Sequence, residues 1–169
     1  MKFKSFFLFL ILTCSFFLQK NTGYFLVHAI DNPGQYIIST TEKAINALTD
    51  NSITQNEKEK RFGKLFDENF DVPSISRFVL GKYWKSATTN QKKVFFVTFR
   101  NYMVKTYSSR FSEYSGEKLS LLNYENGPNL KLFVVHTALN RQNDPPIKVD
   151  WRVGLKKNRY VILDIIIEG

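Results

Sequence analysis

The sequence predicts an α+β domain in which N-terminal helices pack on a four-stranded antiparallel sheet and enclose an apolar cavity. Three observations carry this expectation. Apolar residues recur at helical spacing from Asn32 onward, and the period switches to two after Ser115-Gly116. Helices first and strands afterwards sort into one layer each. Aromatic residues make up 15% of the chain, and those on the longest helix cover a wider face than one packing contact needs.

Asn32-Pro33 reads as an N-cap with proline at the first helical position, followed at helical spacing by Ile37, Ile38, Thr41, Ala44, Ile45 and Leu48. Thr54-Gln55-Asn56-Glu57 is a capping box for a second helix, whose Phe62, Leu65, Phe66 and Phe70 share one face until Val72-Pro73 stops the run. Ser74 is expected to cap a short helix that carries Ile75, Phe78, Val79 and Leu80 and ends at Gly81. Thr88-Thr89-Asn90-Gln91 is a second capping box and opens the longest helix, expected to reach Tyr114. On that helix Phe96, Phe99, Met103, Tyr107, Phe111 and Tyr114 form one stripe, which Phe95 and Tyr102 widen to about half the circumference.

Four strands follow. Ile147, Val149, Trp151, Val153 and Leu155 alternate with Lys148, Asp150, Arg152, Gly154 and Lys156. Val161, Leu163, Ile165 and Ile167 alternate with Ile162, Asp164, Ile166 and Glu168. Residues 119–124 and 130–139 supply the other two strands. Asn126-Gly127-Pro128, Asn143-Asp144-Pro145-Pro146 and Lys157-Asn158 supply the turns, and a meander results. The strand from Leu130 is apolar in both phases; Leu132, Val134, His136 and Ala138 are preferred over Phe133, Val135 and Thr137 as its cavity side.

Lys2 and Lys4 precede an apolar run over residues 6–18, and Val27-His28-Ala29 has the small-residue pattern of a cleavage site. Residues 1–29 therefore read as a secretion signal, with cleavage near Ala29 and a single domain over residues 30–169. Gln19, Lys20 and Asn21 hold the apolar run below the roughly 18 to 20 residues of a spanning helix. Cleavage removes Cys14, the only cysteine, and with it any disulfide, thiolate metal site or cysteine nucleophile. It also removes Lys2, Lys4 and Lys20, which lowers the formal charge from +9 to +6.

With His28 gone, His136 is the only histidine, so multi-histidine metal sites are excluded and a catalytic triad would have to be built around it. Asp150 and Asp164 fall at polar positions of alternating strands and read as a solvated outer face. The glycines form no phosphate-cradling pattern. Basic residues are spread through the helices and along the strands, which argues against a nucleic-acid surface. The tip Lys156-Lys157-Asn158-Arg159 reads as a solvated hairpin, with docking on lipid headgroups or an acidic surface as the sharper alternative. Neither an enzyme nor a cofactor is called for.

More specific are Phe70-Asp71-Val72, then Val79-Leu80-Gly81-Lys82-Tyr83-Trp84-Lys85-Ser86-Ala87-Thr88, Gln91 and the helix from Phe95 to Tyr107. Together with Pro145-Pro146-Ile147-Lys148-Val149-Asp150 and the end from Asp164 to Glu168-Gly169, they resemble the MlaC or toluene-tolerance family over residues 32–169. The resemblance implies a soluble, monomeric periplasmic carrier. It would take phospholipid as cargo, without cofactor or covalent chemistry, between an outer-membrane lipoprotein complex and an inner-membrane ABC transporter that maintain outer-membrane lipid asymmetry. It also implies further C-terminal helices after Glu168-Gly169, so the chain reads as a C-terminally shortened form. At roughly 0.8 kcal/mol per buried CH₂, two acyl chains of about 16 carbons need on the order of 20 kcal/mol of apolar burial.

The periodicities then select tail-lining candidates: Phe78 and Tyr83 near the short helix, Phe96, Phe99, Met103 and Tyr107 on the long one. Leu132, Val134, Val149, Trp151, Leu163, Ile165 and Ile167 are the candidates on the sheet. The alternatives are a small α+β enzyme acting on an apolar ligand with a carboxylate or His136 as base, and an adaptor domain whose aromatic stripe is filled by its own side chains.

Overall fold

The computed structural model describes residues 32–168; the secretion signal expected over residues 1–29 lies outside them. Five helices come first: α1 (Pro33–Leu48), α2 (Gln55–Asn69), α3 (Val72–Leu80), α4 (Tyr83–Ser86) and α5 (Thr89–Arg110). A 3₁₀ turn (Phe111–Glu113) leads to β1 (Lys118–Asn126), β2 (Leu132–Asn140), β3 (Ile147–Lys156) and β4 (Arg159–Glu168), paired antiparallel in that order.

Local hydrogen bonds explain the helix starts. Asn32 accepts from the Gln35 amide at 2.8 Å, and Thr54 accepts from the Glu57 amide at 3.2 Å. At the head of α5, Thr88 Oγ1 accepts from the Gln91 amide at 3.2 Å while Gln91 Oε1 accepts from the Thr88 amide at 2.8 Å. Ser74 does not cap α3. Asp71 does, accepting from the Ser74 amide, and Pro73 occupies the first turn, where a missing N–H costs nothing. Gly81, at φ 54°, ends the helix. α4 is a single turn and was not expected.

Register settles which side of the sheet faces the helices, because directly opposed residues share a face. Phe133, Val135 and Thr137 oppose Val153, Trp151 and Val149. Val135 and Val153 join Ile37 of α1 and Ile162 of β4 in one buried cluster. The preferred phase for β2 is thereby overturned. Leu132, Val134, His136 and Ala138 share the outer face with Gly154, Arg152, Asp150 and Lys148. Both phases of β2 are apolar, so its own alternation carried no information, whereas pairing with β3 does.

A bulge overturns a second expectation. The β3–β4 register shifts between Arg152 and Val153, so Ile162 opposes Val153, Ile165 opposes Trp151, and Leu163 is left over. Leu163 lies against Gly154 on the outer face, where a Cβ added to that glycine would come within 3.0 Å of Leu163 Cδ1. Tyr160 and Ile162 face the helices before the bulge, and Ile165 and Ile167 after it.

The helices form a second core. Phe66, Val72 and Val104 are buried together, with Phe62, Phe70, Phe96, Phe99 and Met103 packed around them. Arg100 of α5 grips Asp67 of α2 with two hydrogen bonds of 2.8 and 2.6 Å. α1 packs on β1 and β2, whereas α5 packs chiefly on α2 and α3.

Candidate functional site

Among the described residues the layers leave one end of the sheet uncovered. Val149, Trp151, Ile165 and Ile167 lie on the helix-facing side, in one patch of β3 and β4. Val149 is buried and Trp151 half-buried, but Ile165 is 37% exposed and Ile167 65%. The indole is fixed from below: its N–H donates to Thr137 Oγ1 at 3.0 Å, and that hydroxyl donates to the Val149 carbonyl at 2.7 Å. Its polar atom is satisfied and its ring is left as apolar wall.

The helical candidates divide. Phe96, Phe99 and Met103 are half-buried against the second core, with Phe99 stacked on Phe95 at 5.9 Å between ring centroids. Phe78, Tyr83 and Tyr107 project further, the first two at 73% and 62% exposure. α3, which carries Phe78, packs on both α5 and β4, and its N-cap residue Asp71 donates its amide to the Ile162 carbonyl at 2.9 Å.

The remaining candidates lie elsewhere. Leu132 and Leu163 line an open cleft of about 1140 Å³ with Phe70, Pro73, Leu130 and Leu155. Val134 is on the outer face between Glu125 and Arg152. A second open groove, of about 640 Å³, is lined by Tyr83 together with Leu80, Ala87, Val94 and Phe95. Of these, Phe70, Pro73, Leu130, Leu155, Leu80, Ala87 and Val94 were not among the candidates. They come together through tertiary packing, which no local sequence pattern shows.

Around His136 the outer face is polar, as expected for Asp150 and Asp164. His136 Nδ1 is 2.8 Å from Asp150 Oδ1 and Nε2 is 3.8 Å from Glu125, so both ring nitrogens face carboxylates. Arg152 pairs with Asp164 at 3.7 Å. The basic hairpin tip is only partly free. Lys156 binds Asp71 and Ser74, and Arg159 donates to the Glu68 carbonyl at 3.2 Å. Burial alone would raise the Asp71 carboxyl; the hydrogen bonds from Lys156 and Ser74 outweigh it and hold the group below its ordinary value. Among the described residues no group of three His, Cys, Asp or Glu side chains is placed to hold a metal ion, and no helix is long and apolar enough to cross a membrane.

Fold and site define a class: a helical layer on an antiparallel four-stranded meander, with an uncovered apolar patch on the sheet's helix-facing side. Within it, the chain belongs to the MlaC protein family, whose model matches residues 39–169. Its fold is similar to that of a phospholipid-binding protein from Ralstonia solanacearum solved in complex with a phospholipid. The two chains share 17% identity, the match covers 80% of this chain and 78% of that one, and the TM-score is 0.68.

Proposed function

We propose that this chain is a phospholipid-binding carrier that works in the periplasm after removal of residues 1–29. It moves one lipid at a time between an outer-membrane lipoprotein complex and an inner-membrane ABC transporter. Family membership and the phospholipid bound by the protein of similar fold support lipid as the cargo. The observation that carries the reading is the exposure of Ile165 and Ile167 on the helix-facing side of β4. Apolar side chains on that side normally close a core; among the described residues these two are left without full cover and suit an acyl chain.

In this reading Val149, Trp151, Ile165 and Ile167 form the sheet wall. Phe78, Phe96, Phe99 and Met103 form the helical wall, with Tyr83 and Tyr107 at its rim. Leu132, Val134 and Leu163, on the outer face, are outside it. Transfer needs no bond to be made or broken, so the reading assigns no side chain a chemical step. Native mass spectrometry of the protein purified from the periplasm tests the proposal. One diacyl phospholipid per chain is expected; a chain that arrives lipid-free and does not take up added phospholipid would contradict it.

A further inference from the structure

Residues 72–112 contain eight Lys and Arg and no Asp or Glu. Three of the eight lie away from the corner where α3, α4 and α5 meet: Arg100 is paired with Asp67, Arg110 with Glu113, and Lys105 lies further along α5. The other five, Arg77, Lys82, Lys85, Lys92 and Lys93, sit where α3 ends, α4 turns and α5 begins. Among the described residues none of the five has a carboxylate within ion-pair distance. Elsewhere among the described residues eight of sixteen Lys and Arg have a carboxylate within that distance, as in Arg61–Glu57, Lys148–Glu168 and Arg152–Asp164.

The same corner is apolar. Phe78, Val79, Tyr83 and Val94 are exposed there. The cations lie over the rings: Trp84 has the Arg77 guanidinium 5.8 Å from its centroid and the Lys92 ammonium at 5.1 Å, and Lys82 lies 5.2 Å from the Tyr83 ring.

From this we infer that the α3–α4–α5 corner is a peripheral docking surface for an anionic lipid bilayer. The chemistry selects a bilayer over an acidic protein. A bilayer interface takes apolar side chains into the acyl boundary while phosphates meet the surrounding cations at the same depth. An acidic protein surface would match the charges and leave Val79 and Val94 against carboxylates. The hairpin tip is a weaker candidate, since Lys156 and Arg159 already bind Asp71 and Glu68. The inference does not depend on what the chain carries.

Vesicle flotation tests it. The protein is expected to float with phosphatidylcholine vesicles containing about 30 mol% phosphatidylglycerol but not with pure phosphatidylcholine, and to be released as salt screens the surface. Each basic residue near such a surface is worth about a fivefold change in partition, so Lys82→Gln/Lys85→Gln/Lys93→Gln is expected to bind about a hundredfold more weakly. These three side chains are exposed, and an unchanged thermal melt verifies folding. Val79→Ser is expected to weaken binding further at constant charge. Equal flotation of wild type and triple variant would overturn the inference, as would capture by immobilised polyglutamate without flotation, which would assign the corner to an acidic protein. Phospholipid extracted from the same samples shows whether cargo is held, independently of docking.

Discussion

Two isoleucines on one strand separate the proposed cargo wall from the core. Ile167 is 65% exposed and Ile162 only 1%, yet both face the helices, on either side of the Leu163 bulge. Truncation of Ile162 to alanine opens a void among Ile37, Val135 and Val153 and is expected to cost about 2 to 5 kcal/mol of stability. Truncation of Ile167 removes a group already mostly in water, so delipidated protein is expected to lose no more than about 0.5 kcal/mol. Under the proposed function, lipid binding reverses the order. If an acyl chain covers the exposed two thirds of a side chain worth about 2 kcal/mol, Ile167→Ala weakens binding by about 1.3 kcal/mol, roughly tenfold. Ile167→Asp, which sets a carboxylate against hydrocarbon, is expected to abolish retention. Urea unfolding of the delipidated variants, together with phospholipid quantified per chain, measures both effects. A large stability loss in Ile167→Ala, or full lipid retention in folded Ile167→Asp, would refute the reasoning.

Three further outcomes are expected. The lowered Asp71 carboxyl contributes stability that is complete above the ordinary carboxylate range and is lost as pH falls through its depressed folded value; urea midpoints of Asp71→Asn should therefore fall less between neutral and acid pH than those of wild type. Burial pushes the Tyr36 phenol up to about 12, and its hydroxyl donates towards Asn69. Its stabilising effect is complete below the ordinary tyrosine value and lost above it, and Tyr36→Phe should delete the last step of the phenolate absorbance titration. Thr88→Ala breaks the capping box of α5 and is expected to cost about 1 kcal/mol in the same urea assay.

Legibility of the fold followed the range of the interactions. The caps at Asn32, Thr54 and Thr88 join residues three apart, and the α5 box appears in the structure as read. β3 announced its faces because its polar positions are strongly polar. β2 did not, since Leu132 and Val134 are as apolar as Phe133 and Val135, and only the β3 register decides. The Leu163 bulge was hidden for the same reason: a two-residue alternation cannot show where pairing slips. α4, with four residues, is too short to have a period. The candidate patch was half legible. The sequence placed Val149, Trp151, Ile165 and Ile167 on one face, but their lack of cover depends on where α1 and α5 come to rest, which no local pattern encodes.

The most direct test of a cargo wall on the helix-facing side is photo-cross-linking with a phospholipid that carries a diazirine near the end of one acyl chain, followed by peptide mapping. Adducts are expected at Trp151, Ile165 and Ile167 and on α3 or α5. Adducts confined to the outer face, at Leu132, Val134 or Leu163, would contradict the account.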